Sequence, residues 1–268
     1  MPVAPLPVVF IPGLWMHGTS WTRWVERFAG AGYRPVARSW PGVSATVEET
    51  RANPASGAGY GIAEIADHYA RTIAGLERAP ILVGHSFGGL IVQNLLGRGI
   101  AAAGVAIDAA PIKGVLALPF STLRSAFPVL RNPANRRRAV ALTAAQFRYG
   151  FGNAVSAAES AALYARWAIP GPGRPLFQAA FANFTPHSAA AVSTANGARG
   201  PLLLIAGEHD HIVPPAVTRG TLRQYRRSPA VTELRMMSGR GHSLTIDSGW
   251  VEVADLVLAW LKGKVEAA

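Results

Sequence analysis

The sequence predicts an α/β protein with a mostly parallel central sheet and helices on both faces. Short apolar runs typical of buried strands alternate with segments in which apolar residues recur at helical spacing. Half of the 268 residues are hydrophobic, which is enough to fill one large core. The alternation lapses between residues 112 and 187. We therefore expect residues 1–111 and 188–268 to form the core domain and residues 112–187 to form a helical insertion.

The first half of the chain predicts four strands joined by helices. The strands are expected at short apolar runs, at 8–11, 33–37, 81–83 and 105–107. Apolar residues at helical spacing predict helices at 21–28, at 62–76 and from the glycines after Ser86 to Gly97. Strands and helices in this order build a parallel sheet.

The insertion at 112–187 is alanine-rich, and no strand is evident in it. One helix is expected at about 135–148, and another begins at 156–159, where Ser-Ala-Ala-Glu is a capping-box pattern. The core pattern then resumes with strands at 202–205 and 232–236 and a closing helix at 250–261. Open α/β sheets bind ligands beyond the carboxyl ends of their strands, so we expect the insertion to cover that edge as a cap.

The net charge of +11 is concentrated in the insertion. Residues 113–187 contain nine lysines and arginines against one acid, Glu159, a net charge of +8. This charge could steer an anionic substrate or hold the protein at an acidic surface, or it could simply be a solvated helix face. No nucleic-acid motif or stacking platform accompanies the arginines, so we expect no nucleic-acid partner.

The composition also excludes several kinds of chemistry. The chain has no cysteine, so disulfides, thiolate metal sites and a cysteine nucleophile are ruled out. His209 and His211 lack a third clustered ligand, so we expect no metal and no cofactor. The first strand is expected by Val8, which leaves no room for a secretory signal, and no apolar run is long enough to span a membrane. We expect a cytoplasmic protein.

The most specific motif is Gly84-His85-Ser86-Phe87-Gly88, between a predicted strand and a predicted helix. Gly-x-Ser-x-Gly in this position is the nucleophile-elbow pattern, in which glycines allow a strand to turn sharply into a helix. The turn exposes the serine hydroxyl beside helix N–H groups that lack intrahelical partners. Ser86 is therefore the candidate nucleophile. The alternative is an ordinary glycine-rich turn in which the serine caps the helix.

A serine nucleophile needs a base to accept its proton and a third group to orient that base. Asp210 lies in the loop after the fifth predicted strand and His242 in the loop after the sixth, which gives the chain order serine, acid, histidine. Asp108, directly after the fourth strand, and Glu208 are alternative acids, and Asp210 is preferred for its motif context. His85 is expected to pack beneath the site.

Two backbone N–H groups are expected to stabilise a developing oxyanion. One belongs to Phe87, the residue after the nucleophile, and the other to Leu14 in the loop after the first strand. Trp15 is a candidate wall of the substrate pocket. Six aromatic residues of the insertion predict an apolar substrate portion, or else form the insertion's own core: Phe120, Phe127, Phe147, Phe151, Trp167 and Phe177.

These motifs together resemble the α/β-hydrolase superfamily over nearly the whole chain. The resemblance rests on the loop after the first strand, the elbow at 84–89, Gly-Glu-His-Asp at 207–210 and Gly-His at 241–242. It is strongest to the small esterase, lactonase and cofactor-free haloperoxidase-like branches. The family usually has His-Gly before the oxyanion donor, where this chain has Pro12-Gly13, and the difference bears on loop geometry and substrate branch.

The resemblance implies an α/β-hydrolase fold with a helical cap and a serine hydrolase activity that needs no cofactor or metal. A Ser86–His242–Asp210 triad would cleave a carboxylic ester of a small, largely hydrophobic substrate through an acyl-enzyme. The same triad would also serve lactone, amide or carbon–carbon bond hydrolysis, or perhydrolysis. A ligand-binding protein without catalysis is the alternative of another class. The expected partner is a small ester-like molecule, and the oligomeric state is left open.

Overall fold

The computed structural model describes residues 5–265. Its strands are β1 Pro7–Ile11, β2 Arg34–Ala37, β3 Ile81–His85, β4 Ala103–Ile107, β5 Ala139–Val140, β6 Gly171–Pro172, β7 Leu202–Gly207 and β8 Thr232–Met237. Its α-helices are α1 Thr22–Gly30, α2 Val47–Ala52, α3 Ile62–Ala74, α4 Phe87–Gly97, α5 Phe120–Leu130, α6 Ala144–Gly150, α7 Ala157–Trp167, α8 Arg174–Ala180, α9 Pro215–Gln224 and α10 Trp250–Lys264. Short 3₁₀ helices lie at Gly18–Trp21, Pro54–Gly57, Pro133–Arg137 and Ala182–Phe184.

Six strands form one central sheet in which all neighbours run parallel, in the order β2-β1-β3-β4-β7-β8. The chain forms β2 on one side of β1 and then adds β3, β4, β7 and β8 on the other side. Carboxyl ends of parallel strands meet at one edge of a sheet, which is where open α/β sheets bind ligands. The loops after β1, β3, β4, β7 and β8, which carry the candidate residues, therefore share an edge.

The hydrophobic core has one layer on each face of this sheet. Val9 and Ile11 of β1 belong to the layer that α3, α4 and α9 cover, whereas Val8 and Phe10 belong to the layer that α1 and α10 cover. Successive residues of a strand point to opposite faces, so a wholly apolar strand needs cover on both sides. The predicted α/β class, with helices on both faces, is confirmed.

The predicted single helix at 135–148 is wrong. The backbone is extended at Arg138, with φ −120° and ψ 157°, and the next two residues pair with β6 as a short antiparallel sheet. A new helix, α6, starts where Thr143 Oγ1 accepts a hydrogen bond from the Gln146 amide and Gln146 Oε1 accepts one from the Thr143 amide. Since β5 and β6 both lie in 112–187, the expectation of no strand there is also wrong.

Helix α7 begins where its N-cap signal predicts. Ser156 Oγ accepts a hydrogen bond from the Glu159 amide at 3.1 Å. The Glu159 carboxylate accepts a hydrogen bond from the Ser248 amide at 2.6 Å instead of completing a capping box. This contact joins the segment 112–187 to the turn before α10. Within residues 5–265, no helix has both the length and the apolar character that crossing a membrane requires.

Candidate active site

Ser86 lies at a strained turn between β3 and α4, with φ 55° and ψ −121°. A Cβ on Gly84 would come within 2.3 Å of the Gly88 carbonyl oxygen, and one on Gly88 within 2.2 Å of the Ile11 carbonyl oxygen. Both contacts are with backbone, so no side chain fits at either position. The spacing of glycines around Ser86 therefore reflects the close approach of β3, α4 and the end of β1.

The elbow is hydrogen-bonded to the neighbouring strand. The Ser86 amide donates to the Ile107 carbonyl at 2.9 Å, and the Ser86 carbonyl accepts from the Ala110 amide at 3.0 Å. The Ser86 side chain is nearly buried, and Phe87 opens α4, so the Phe87 N–H belongs to the turn that lacks intrahelical acceptors. The serine is thus held rigidly at the positive end of a helix.

His242 and Asp210 form a buried hydrogen-bonded pair. His242 Nδ1 lies 2.6 Å from Asp210 Oδ2, and Asp210 Oδ1 accepts hydrogen bonds from the Ile212 amide at 2.6 Å and the Val213 amide at 2.9 Å. Because Nδ1 faces a carboxylate, it carries the proton of the neutral ring. His242 Nε2 is buried and has no hydrogen-bond partner within residues 5–265, so it is the nitrogen left to accept a proton.

Asp108 is a second buried carboxyl beside the same imidazole. Its Oδ1 accepts a hydrogen bond from the Gly207 amide at 2.7 Å, and its Oδ2 lies 4.0 Å from His242 Nδ1. Burial raises the pKa of Asp108 well above its usual range, and the nearby Asp210 carboxylate raises this pKa further. Burial and the neighbouring carboxylate thus both disfavour the charged form of Asp108, and its Oδ2 is buried without a hydrogen-bond partner within residues 5–265. Of the two acids, Asp210 makes the hydrogen bond to His242.

Glu208 serves a different part of the loop. Its exposed carboxylate accepts hydrogen bonds from the Gly239 amide and from Ser238 Oγ, both at 2.8 Å. These bonds lower the pKa of Glu208. The side chain thus fastens the turn after β8 to the end of β7, and it makes no hydrogen bond or salt bridge to His242 within the described part of the chain.

His85 lies directly under the candidate base. The ring centroids of His85 and His242 are 4.5 Å apart, and His85 is 3% exposed. Burial lowers the pKa of His85 well below its usual range, and the neighbouring His242 lowers it further, so the ring stays neutral. The expected position of His85 beneath the elbow agrees with this packing.

One cluster of side chains within residues 5–265 combines potential metal ligands: His85, Asp108 and His242, with ligand atoms within 4.8 Å of one another. Zinc–nitrogen bonds of about 2.0 Å place tetrahedral donor atoms only about 3.3 Å apart. In addition, His242 Nδ1 is already hydrogen-bonded to Asp210. We therefore assign no ion to the cluster and describe it as the polar floor of the site.

The loop after β1 packs against the elbow. A Cβ on Gly13 would lie 2.9 Å from Ser86 Cβ, so the absence of a side chain lets this loop approach the serine. Leu14 is buried, and Trp15 takes a positive φ of 68°. The Pro12 carbonyl, at the position where the sequence departs from the family pattern, accepts a hydrogen bond from Trp40 Nε1 at 2.9 Å. Leu14 thus follows, in the same turn, the glycine that approaches Ser86.

Comparison of the sequence with known protein families agrees with this fold. The alpha/beta hydrolase family model covers residues 8–256, which is most of the chain. The chain belongs to the alpha/beta hydrolase family. The family resemblance drawn from the sequence is confirmed. No curated protein matches the sequence.

Solved structures of other hydrolases share the fold at low identity. A monoacylglycerol lipase from Paleococcus ferrophilus is 20% identical with a TM-score of 0.64, over 96% of this chain and 94% of that one. A thermophilic esterase from Thermogutta terrifontis is 16% identical with a TM-score of 0.67, over 97% and 90%. A methylesterase from Arabidopsis is 12% identical with a TM-score of 0.65, over 96% and 99%. Likeness at these identities shows the fold.

Three of the four predicted pocket residues of this α/β-hydrolase form one aromatic cluster, and one of them, Phe151, lies against the candidate base. The Phe151 ring lies 4.8 Å from the His242 ring, stacks on Phe147 at 4.8 Å and meets Trp15 edge-on at 6.4 Å. All three are buried. Trp167 is also buried, but its ring contacts within residues 5–265 are with the guanidinium groups of Arg23 and Arg166, not with the site histidines.

Two aromatic residues of the insertion do not fit the prediction. Phe120 is 77% exposed and Phe127 is 62% exposed, so neither forms a pocket wall or a core. The face of α5 that points inward carries Thr122 and Ser125 instead, which donate hydrogen bonds to the Ile212 and His211 carbonyls. The sequence predicted that these residues would either accompany an apolar substrate portion or form the insertion's own core, and their exposure agrees with neither.

The loop that carries His242 is supported by hydrogen bonds to Asp247 that were not predicted from the sequence. Asp247 is buried and accepts hydrogen bonds from Ser243 Oγ and the Gly249 amide, both at 3.0 Å, while Arg240 pairs with the same carboxylate. This network joins Arg240, Ser243 and Gly249 to one carboxylate and so fixes the loop that carries His242. The available signal was Ser243 and Asp247 four residues apart, with an arginine close before them.

Proposed function

We propose that this α/β-hydrolase is a serine hydrolase that cleaves a carboxylic ester of a small, largely hydrophobic substrate. Ser86 is the nucleophile, His242 the base and Asp210 the acid that orients it. The single observation that carries the proposal is the 2.6 Å contact between His242 Nδ1 and Asp210 Oδ2, at the sheet edge where the elbow holds Ser86. It leaves Nε2 as the basic nitrogen.

Acylation begins when Ser86 Oγ attacks the ester carbonyl carbon and its proton passes to His242 Nε2. The carbonyl oxygen becomes an oxyanion that accepts hydrogen bonds from the amides of Leu14 and Phe87. When the tetrahedral intermediate collapses, the bond to the leaving oxygen breaks, and that oxygen takes the proton from His242. The alcohol departs and the acyl group stays on Ser86.

Deacylation repeats these steps with water as the nucleophile. His242 Nε2 accepts a proton from water as its oxygen attacks the acyl carbon, and the same two amides stabilise the second oxyanion. Collapse returns the proton to Ser86 Oγ and releases the carboxylic acid. Asp210 stays ionised throughout and stabilises the imidazolium, which is the role that its two backbone N–H donors favour.

We infer further that residues 112–187 are a cap on a core made of 1–111 and 188–268. Trp15 Nε1 donates a hydrogen bond to the Val140 carbonyl at 3.0 Å, and a Cβ on Gly171 would lie 2.6 Å from Leu14 Cδ1. The β5–β6 pair therefore lies on the proposed oxyanion loop. With Phe147 and Phe151 contributed from the same segment, the cap supplies an apolar wall for the acyl group.

The names of the structural neighbours favour esters over other acyl bonds. The monoacylglycerol lipase, the methylesterase and the thermophilic esterase are all named for ester substrates. Apolar aromatic walls beside the candidate base agree with a hydrophobic acyl or aryl group. We therefore place lactone, amide and carbon–carbon bond hydrolysis behind simple ester hydrolysis.

The test is labelling by a fluorophosphonate probe, which reacts only with an activated serine. The wild-type protein is expected to be labelled, Ser86→Ala is expected to remain unlabelled, and Ser193→Ala, which changes an exposed serine, is expected to label like wild type. Turnover of p-nitrophenyl butyrate is measured on the same samples. Equal labelling and turnover in Ser86→Ala and wild type would reject the nucleophile.

A further inference from the structure

Exposed apolar side chains are concentrated in one segment of the chain. Of the ten large hydrophobic residues that are exposed within residues 5–265, seven lie between 116 and 184. Phe120 is 77% exposed, Phe127 62% and Phe184 83%. Isolated exposed apolar residues are common on proteins, but a cluster of aromatic ones marks an interaction surface.

Helix α5 carries the centre of this surface, and its inward side combines the buried Val129 with two hydroxyl side chains. Thr122 Oγ1 and Ser125 Oγ donate hydrogen bonds to the backbone carbonyls of Ile212 and His211, at 2.9 and 3.3 Å. Phe120, Leu123 and Phe127 follow at i, i+3 and i+7, which places them on one exposed stripe. A surface helix of a globular protein ordinarily has the opposite orientation, with its apolar stripe inward.

Two further exposed aromatic side chains, Phe181 and Phe184, lie on the segment that follows α8. Helix α8 packs against α5 and leads into the 3₁₀ helix Ala182–Phe184, whose Asn183 accepts a hydrogen bond from the Gly114 amide and donates one to the Val115 carbonyl, at 2.7 and 2.8 Å. Phe184 therefore lies near the exposed Leu116. We call the surface made by Phe120, Leu123, Phe127, Phe181 and Phe184 the apolar face.

Arginines border the apolar face. Arg124 follows Leu123 directly and lies over the Tyr149 ring at 4.1 Å, and Arg131 lies one turn after Phe127 on the same side of the helix. Three further exposed arginines follow at 136–138. None of the five forms a salt bridge with another residue in 5–265. Their charge is available to an external anion.

We propose that the apolar face docks on an anionic lipid–water interface. The aromatic side chains would enter the boundary of the acyl chains, and the arginines would pair with phosphate headgroups. Charge complementarity selects this occupant over a second copy of the chain, because two copies meeting through this face would bring their unpaired arginines together. The docking does not depend on the proposed hydrolysis, so either one can fail alone.

Docking on this face would also place the proposed site next to the interface. The inner side of α5 is bonded to the loop that follows Asp210. A cavity of about 440 Å³ is lined by Pro119 and Ser121 at the start of α5 and also by Asp210. An apolar ester dissolved in the lipid surface would thus reach the protein beside its site.

Vesicle co-sedimentation of the full chain tests the docking. Wild type is expected to bind vesicles of equal parts phosphatidylglycerol and phosphatidylcholine, and to bind pure phosphatidylcholine at least about tenfold more weakly. Phe120→Ser/Phe127→Ser is expected to lose at least about tenfold in affinity, and a 136–138 Arg→Gln triple variant about a hundredfold. Val231→Ser/Met236→Ser, which changes exposed apolar residues on and beside β8, is the matched control and should bind like wild type.

Thermal melting of each variant shows whether it is folded, and the exposure of the substituted side chains predicts unchanged melting. Equal binding of wild type to both vesicle types, or equal loss in the β8 control, would overturn the docking. Light scattering of the lipid-free protein tests the other occupant. A dimer that Phe120→Ser/Phe127→Ser abolishes would assign the apolar face to a second copy and reject the lipid surface.

Discussion

Replacing Asp210 with asparagine keeps the size of the side chain and removes the charge that faces His242. In the native site, Asp210 Oδ1 accepts two backbone N–H groups while Oδ2 faces Nδ1. The amide oxygen of asparagine would keep the two backbone donors, so its NH₂ group would face Nδ1. The ring would then carry its proton on Nε2, where it cannot accept the proton of Ser86.

The expected cost of Asp210→Asn is about 10⁴-fold in kcat, or roughly 5 kcal/mol in the barrier, as for the same change in a serine protease triad. Asp108→Asn has a much smaller expected effect, within about tenfold. The side-chain oxygen of asparagine can still accept a hydrogen bond from the Gly207 amide, and burial already disfavours the charge that this substitution removes. Asp108→Ala leaves the Gly207 amide unpaired, which costs about 1–3 kcal/mol of stability.

The assay is steady-state hydrolysis of p-nitrophenyl butyrate near pH 7, with kcat and KM measured separately and thermal melting as the check on folding. We expect Asp210→Asn to lose kcat while it remains folded, and Asp108→Asn to keep most of the wild-type kcat. The opposite ranking would transfer the orienting role to Asp108 and refute the geometry argued for Asp210. Equal, large losses in both variants would show that the two carboxyls act as one unit.

Three further predictions concern the elbow, the floor and the wall of the site. Gly88→Ala forces a Cβ to 2.2 Å from the Ile11 carbonyl, so a melting curve should show a loss of about 1–3 kcal/mol, whereas Gly30→Ala, in open space, should not. Because the pKa of buried His85 lies well below the 6.5 of a free histidine, the unfolded chain binds more protons below pH 6.5. As the pH is lowered below 6.5, the free energy of unfolding should therefore fall by up to about 1.4 kcal/mol per pH unit. In denaturant titrations at several pH values, His85→Gln should show a weaker dependence of this free energy on pH. Phe151→Leu should lower kcat/KM roughly tenfold for a p-nitrophenyl benzoate but little for an acetate, and equal losses would remove Phe151 from the acyl pocket.

Local patterns in the sequence predict the parts of this protein that depend on neighbouring residues. The strands of the central sheet follow from short apolar runs, and the elbow follows from two glycines around Ser86 that the close backbone approach requires. Family membership follows from motifs that each occupy a few residues. Ser86, Asp210 and His242 each follow a predicted strand, so the sequence also locates the connections that carry them.

Contacts between residues far apart in the sequence could not be predicted from local patterns. Asp108 and Asp210 are 102 residues apart in the sequence, and only the register of β4 beside β7 brings both to the same imidazole. The helix expected at 135–148 fails because Ala139–Val140 finds a strand partner more than thirty residues away. Tertiary pairing overrides local helical propensity at such positions.

The orientation of α5 shows a different limit. No helix was predicted at 120–130, and apolar spacing does not say which face of a helix is covered. The hydrogen bonds of Thr122 and Ser125 to the loop after β7 turn these two residues inward and leave Phe120 and Phe127 exposed. An exposed aromatic face on a helix is invisible to a pattern that assumes burial of apolar residues.

The most direct test of the central claim is the location of the acyl group during turnover. Wild-type protein is mixed rapidly with a p-nitrophenyl ester, quenched in acid and analysed by peptide mass mapping. We expect a mass increase of one acyl group on Ser86, and the loss of both the adduct and the turnover in Ser86→Ala. An adduct on another residue, or turnover by Ser86→Ala as fast as that of wild type, would contradict the assignment of Ser86 as the nucleophile.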